Sequence, residues 1–179
     1  MAKPTLDEHD HMPDIVGSSD FRLSFSNVPG SLGIDISKVA LNITQAVIPG
    51  LTINPVEQRF AGGHKLKYAM TATPGSGTAA IQFIERVDAQ SIILLTNWFK
   101  FVRGIRSGNA QGYKHDYAVT GRLEVFDGPG KVVMEILYRN MFIQEFPEVT
   151  LDSTSEAQQI LYAASFSYDW WELVGQDLG

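Results

Sequence analysis

The side chains best suited to chemistry are four histidines, and their neighbours decide what each can do. His9 and His11 stand in DEHDHMPD, where imidazoles alternate with carboxylates that could share a metal ion. The stretch has no apolar residues to hold that geometry, and a metal centre needs a supporting shell. It reads as a solvated polar arm. His64 follows Gly62-Gly63 in a polar segment and reads as exposed. His115 adjoins Asp116, a carboxylate able to orient an imidazole for general-base work, but no serine nucleophile motif accompanies it. Gly30 and Gly33, in GSLGID, lack the lysine and the strand-to-helix setting of a phosphate loop or a dinucleotide fingerprint. Asn42-Ile43-Thr44 matches a glycosylation sequon only in form, since the opening MAKPTLDEHDHMPD is too polar for a secretory signal. Trp170 and Trp171 could stack on a sugar or a base, but strand alternation sends one of the two rings to the core. The residues therefore predict no catalytic group, no metal site, no cofactor and no small-molecule substrate.

Composition narrows the classes further. The chain has 179 residues and 44% hydrophobic content, enough for one domain with a real core. A formal net charge of −6 leaves no basic footprint for gripping nucleic acid. The absence of cysteine excludes disulfides, thiolate metal sites and a cysteine nucleophile. No apolar run approaches the roughly 18 residues that read as a bilayer span. The expectation is a soluble protein made in the cytoplasm, with a polar arm over 1–18 and one β domain over 19–179.

The elements that must carry these residues are mostly strands. Phe21, Leu23 and Phe25 alternate with polar residues as far as the turn signal Pro29-Gly30. Val39, Leu41 and Ile43 open a second strand that runs to Pro49-Gly50, and an extended course continues to Pro55. Residues 57–67 read as a polar loop with Gly62-Gly63 at its tip, followed by strands over 66–73 and 78–85. One helix is predicted over 88–103, with Asp88 as N-cap. Ile92, Leu95, Phe99 and Val102 form its apolar face, widened by Trp98 and Phe101. Strands over 117–126 and 132–146 flank the turn Asp127-Gly128-Pro129-Gly130. The second is too long for a small domain. It is either a bulged strand within one sandwich or an arm reaching a neighbouring subunit. The closing strand places Tyr162, Phe166, Tyr168 and Trp170 on one parity. The fold class is mainly β, a sandwich or barrel with one packed α-helix.

Several phrases in order resemble the tail tube protein of contractile-tailed bacteriophages. They are ITQAVIPGLTINPVEQRFAGGHKLKY, AAIQFIERVDAQSIILLTNWFKFVRG and the closing ILYAASFSYDWWEL, spanning roughly residues 38–173. The shared rhythm is a strand break at Pro49-Gly50, a polar ring-contact loop, the Ile81/Phe83 strand, and a helix with Trp98 in its second half. The resemblance implies hexameric rings whose sheets join in a continuous inner β-barrel. The rings would stack into the tube inside a contractile sheath, in a virion. Bacterial secretion-system tube proteins share this fold and are the nearest alternative.

The implied partners are further copies of the chain, the sheath protein, and baseplate and tape-measure proteins. Double-stranded DNA would pass through without specific binding. The implied stacking loop comprises Glu57, Gln58, Arg59, Phe60, Ala61, Gly62, Gly63 and His64. Arg122, Glu124, Glu135, Arg139 and Glu145 lie on the inferred inner strands and are candidates for the lumen or the subunit interface. A wall that must not hold phosphate is expected to be neutral or acidic, with Glu124, Glu135 and Glu145 as its carboxylates and Arg122 and Arg139 able to offset them as cross-strand pairs. Two further classes stay open: a carbohydrate-binding β-sandwich module using Trp170 or Trp171, and a hydrolase using His115 and Asp116.

Overall fold

The computed structural model describes residues 17, 19–28, 39–59, 65–72, 77–103, 113–149, 151 and 159–174. Of the expected arm over 1–18, with His9 and His11, only Gly17 falls among them. The Pro29-Gly30 turn, Gly33, and Phe60, Ala61, Gly62, Gly63 and His64 also lie outside the described residues.

Strand alternation builds most of the molecule. β1 (Phe21–Ser26) turns Leu23 and Phe25 inward. It pairs antiparallel with β6 (Val119–Phe126), which buries Val119, Leu123 and Val125. A six-strand path runs β1-β6-β7-β8-β5-β2, with β9 added on β7. Here β2 is Ile43–Gln45, β5 is Gly77–Ile84, β7 is Val132–Glu145, β8 is Leu161–Tyr168 and β9 is Trp170–Leu173. The pairs are antiparallel, and the sheet curls into a nearly closed barrel. The expected mainly-β class with one substantial helix is the observed one. β2 is shorter than expected. Val39 to Asn42 form a helical turn, closed by Asn42 N–H donating to the Val39 carbonyl at 2.9 Å, which buries Val39 and exposes Leu41.

The helix α1 (Gln90–Val102) covers the barrel. Its buried residues are Ser91, Leu94, Leu95, Trp98 and Val102, so the face is rotated slightly from the expected one and includes Leu94. Trp98 is fully buried, with ring centroids 5.7 Å from Phe25 and 5.6 Å from Phe166. Its Nε1–H donates to the Tyr117 carbonyl at 2.9 Å, which satisfies the one polar atom that burial would otherwise orphan. Asp88 is not the N-cap. That position is Ala89, at φ 50° with no side-chain cap bond. Glu85 substitutes from upstream, its Oε2 accepting from Ile92 N–H at 3.0 Å and from the Tyr162 hydroxyl at 2.8 Å. One carboxylate thus ties the helix start to β8. Burial and this bond push the Tyr162 phenol well above its ordinary value, so it remains a donor.

The long strand β7 stays within the molecule. Its first part lies between β6 and β9, and its last part pairs with β8. Between them the register slips: Val119 opposes Met141, but Gly121 opposes Tyr138. One residue of β6, Thr120, therefore faces two of β7, Arg139 and Asn140, which is a bulge. Asn140 at φ 54° absorbs it, a conformation asparagine tolerates better than most residues. The bulge changes which parity points inward. Ile136 and Tyr138 are buried before it, Met141 and Ile143 after it. Apolar residues on both parities therefore reflect a bend, where the sequence pattern had suited burial between subunits. Gly121 sits against this bend, and a Cβ there would meet Met141 Sδ at 2.7 Å.

Candidate functional site

One element takes no part in the barrel. β3 (Ile53–Arg59) and β4 (Lys65–Ala72) form a separate two-stranded sheet. The expected loop over 57–67 is thereby corrected. Glu57, Gln58 and Arg59 end one strand, and Lys65 to Lys67 begin its partner. Cross-strand chemistry explains the pairing. Val56 opposes Tyr68 and Gln58 opposes Leu66 on one face, while Glu57 opposes Lys67 and Arg59 opposes Lys65 on the other. Glu57 lies 3.5 Å from the Lys67 amine and 3.8 Å from that of Lys65. Pro55 sits at a register shift, where a missing N–H is tolerated. The apolar face is bare: Val56 is 46% exposed, Leu66 50% and Tyr68 45%. An isolated two-stranded hairpin is marginal in water, so this face asks for a partner.

A second feature lies on the outer face of β1, β6, β7 and β9. Glu124 is nearly buried beneath its neighbours. Its Oε2 accepts from Arg22 Nη2 at 2.6 Å and Nε at 2.9 Å. Glu135 lies directly opposite Glu124 across the β6–β7 pair, a like-charge placement that costs stability when nothing bridges it. Arg122 bridges both. It is 3.4 Å from Glu124 and binds Glu135 in bidentate fashion at 2.8 and 2.9 Å. The hydrogen bond to Glu135, and then the charge of Glu124, raise the Arg122 pKa further above its ordinary value. Arg139 on β7 pairs with Glu172 on β9, Nε to Oε1 at 2.8 Å.

The structure therefore joins Arg122, Glu124 and Glu135, couples Arg139 to the unforeseen Glu172, and adds Arg22. Glu145 stands apart, exposed opposite Ser165 in the part of β7 that pairs with β8. Three arginines face three glutamates, so the formal charges along this row balance. Arg22 and Glu172 were missed because their contacts depend on strand register rather than spacing along the chain.

The remaining chemical candidates are engaged structurally. His115 is exposed, 3.0 Å from Asp116 and stacked on Tyr113 at 5.7 Å. The side chain of Asn42 is buried, donating to Ser91 Oγ at 2.8 Å and accepting from Arg86 Nε at 2.6 Å, so the sequon is closed. A kink at Asp169 separates β8 from β9 and reverses the tryptophans: Trp171 packs on the core and Trp170 is outside. The Arg139 guanidinium sits 5.7 Å over the Trp170 ring, taking one of its faces. The Asp169 carboxylate holds the kink. It accepts from Lys114 Nζ at 2.5 Å and from Asn140 Nδ2 at 2.8 Å, and these bonds keep its pKa below the ordinary value. Among the described residues, no group of three or more metal-ligating side chains gathers.

No protein-family model matches the sequence, and no curated protein matches it. Solved structures do share the fold. A chain of the PVC sheath-tube complex, an extracellular contractile injection system in its extended state, superposes with a TM-score of 0.60 at 11% identity. That match covers 96% of this chain and 98% of the other. A chain of the anti-feeding prophage baseplate gives 0.61 at 14% identity, over 93% of this chain and 100% of that one. A chain of the cap that terminates the anti-feeding prophage tube gives 0.62 at 11%, over 90% and 92%. The fold is the one these contractile-injection components share, consistent with that of a tail tube protein.

Proposed function

We propose that this protein is a structural tube subunit of a contractile injection particle and not an enzyme. The observation that carries the reading is the hairpin β3–β4. It holds Val56, Leu66 and Tyr68 in a two-stranded sheet separate from the barrel and its buried core. A folded barrel has no need of that element, and an assembly does. Likeness of fold to chains from sheath-tube and baseplate complexes supports the same role. In this proposal copies close into hexameric rings, the rings stack through the hairpin, and a sheath surrounds the tube. Baseplate and tape-measure proteins are the further partners.

A phage tail is the particle proposed, with double-stranded DNA as cargo. The balanced row of Arg22, Glu124, Arg122 and Glu135 suits a wall that must let a polyanion pass. Every cation in it is already paired, so little counterion release is available to a phosphate.

Negative-stain microscopy of the purified full chain, with and without a baseplate as nucleator, tests the assembly. Rings or tubes with a central hole are expected. Removing residues 61–64 should leave a folded protein that no longer elongates, and full-length tubes from that variant would remove the hairpin from the stacking role. Glu135→Lys in an assembled particle should slow DNA release, most at low salt where screening is weak. Unchanged release would reject DNA passage along this row.

A further inference from the structure

The barrel stays open where its sheet path ends, at β1 on one side and β2 on the other. A groove of about 340 Å³ runs between the two, with Phe21, Leu123 and Val125 along one wall and Ala46 and Ile48 along the other. The hydrogen-bond parity of β1 shows what its open edge lacks. Phe126 N–H donates to the Asp20 carbonyl at 2.8 Å, so Asp20 and the even-numbered residues after it bond β6. The N–H and C=O groups of Phe21, Leu23 and Phe25 therefore point to the free edge. Leu23 is 1% exposed and Phe25 7%, so that stretch of edge is out of water. Buried backbone groups are nearly always paired, yet among the described residues no strand pairs with this edge.

We propose that residues 12–16 of the same chain, which lie outside the described residues, add a strand to the free edge of β1 and fill the groove. The proposal goes beyond the tube reading and does not depend on it, since it concerns a single copy. Three observations select this occupant. The chain enters β1 from a reversal: Ser19 stands in a turn, and a Cβ on Gly17 would lie 3.3 Å from Asp20 Oδ2. Residues three apart and this close mark a chain that doubles back, which sends the residues before Gly17 along β1. Length fits as well. At about 3.3 Å per residue, residues 12–16 cover about 17 Å, and the six residues of β1 about 20 Å. Composition is the third. Met12, Ile15 and Val16 bring apolar side chains to an apolar groove, and isoleucine and valine favour strands. Pro13 stands near the start of the segment, where a missing N–H is tolerated. The charged DEHDH before it can stay in water. Only Gly17 to Asp20 separate Val16 from Phe21, and so short a tether gives the chain's own segment a high effective concentration at this edge.

Amide hydrogen exchange of the full chain, read residue by residue by NMR, tests this. The amides of Phe21, Leu23 and Phe25 should be protected, as those of Arg22 and Ser24 are. Removing residues 2–11 should leave all five unchanged. Removing residues 2–16 should speed the odd-numbered three by about tenfold or more, while Arg22 and Ser24, held by β6, change far less. Ile15→Ser combined with Val16→Ser in the full-length chain is the second variant, in case truncation unfolds β1, and should give the same odd–even split. Odd-numbered amides that are unprotected in the full chain, or no faster in either variant, overturn the proposal. Equal acceleration of all five in the double variant also overturns it, because the segment would then steady β1 without pairing its edge. Protection of the three that disappears on dilution assigns the edge to a second copy, again against the proposal. None of these outcomes bears on ring or tube formation, which microscopy reads separately.

Discussion

The barrel and the hairpin β3–β4 are built from the same kind of strand, yet they use their apolar residues in opposite ways. In the barrel alternate residues turn inward, so Phe83 and Phe166 lose all their exposure against the helix residue Trp98, itself fully buried. In the hairpin the same alternation gathers Val56, Leu66 and Tyr68 on one face and leaves each about half exposed. Hydrophobic burial stabilises only the surface that is removed from water. The barrel therefore stabilises the monomer. The hairpin can contribute to stability only when something else covers it, and that division of labour fits a subunit built for assembly.

The largest expected effect breaks the barrel side of this contrast. Trp98→Ala should cost roughly 3–5 kcal/mol, through lost packing and the cavity left behind. The measurement is chemical denaturation of the soluble chain, or its loss from the soluble fraction. Tyr68→Ala is the matched change on the hairpin and should move stability of the monomer by no more than about 0.5 kcal/mol. Equal losses for the two would mean that the hairpin is covered within the monomer.

Glu85→Ala should come next. It removes the acceptor of both Ile92 N–H and the Tyr162 hydroxyl, and leaving partly buried donors unmade costs about 1–3 kcal/mol. Weakened amide protection at the start of α1, seen by hydrogen exchange, would locate the damage.

A smaller loss is expected for Arg122→Met, which leaves Glu124 and Glu135 facing each other with their bridge gone. Adding Glu135→Gln should restore most of the melting temperature, because one of the opposed charges is then absent. Failure of that rescue would show that Arg122 acts by packing rather than by charge.

The mildest prediction concerns pH. The Asp169 carboxyl titrates below its ordinary value of 3.8 in the folded chain, so the folded state favours its ionised form. Its contribution is complete above that ordinary value and is lost as pH falls towards the lowered one. Asp169→Asn should flatten the acid limb of the stability profile there and leave neutral stability only slightly reduced. An unchanged acid limb would place the acid sensitivity elsewhere.

Local pattern made much of this molecule legible. The alternation of Phe21, Leu23 and Phe25, the 3-4-3 spacing from Ile92 to Val102, and the turn at residues 127–130 each fix an element from neighbours in the chain. The order of these elements was enough to expect a mainly-β sandwich or barrel with one helix, and the sheet's curvature decided for the barrel. A strand's period predicts which residues face together as long as the strand is unbroken. It fails where an extra residue enters. The bulge at Asn140 and the kink at Asp169 reversed the faces of β7 and of the two tryptophans, and spacing alone carries no mark of either.

What the sequence alone determined is therefore the set of elements, because helix and strand periodicity are properties of short stretches. What only the tertiary structure decided is how distant stretches meet. It set Glu85, not Asp88, at the head of the helix and Arg122 between two glutamates. It kept the long strand inside its own barrel, and it turned an expected loop into a hairpin with a bare face. Each of these depends on contacts between residues far apart in the chain, whose geometry is fixed by register and curvature of the whole sheet.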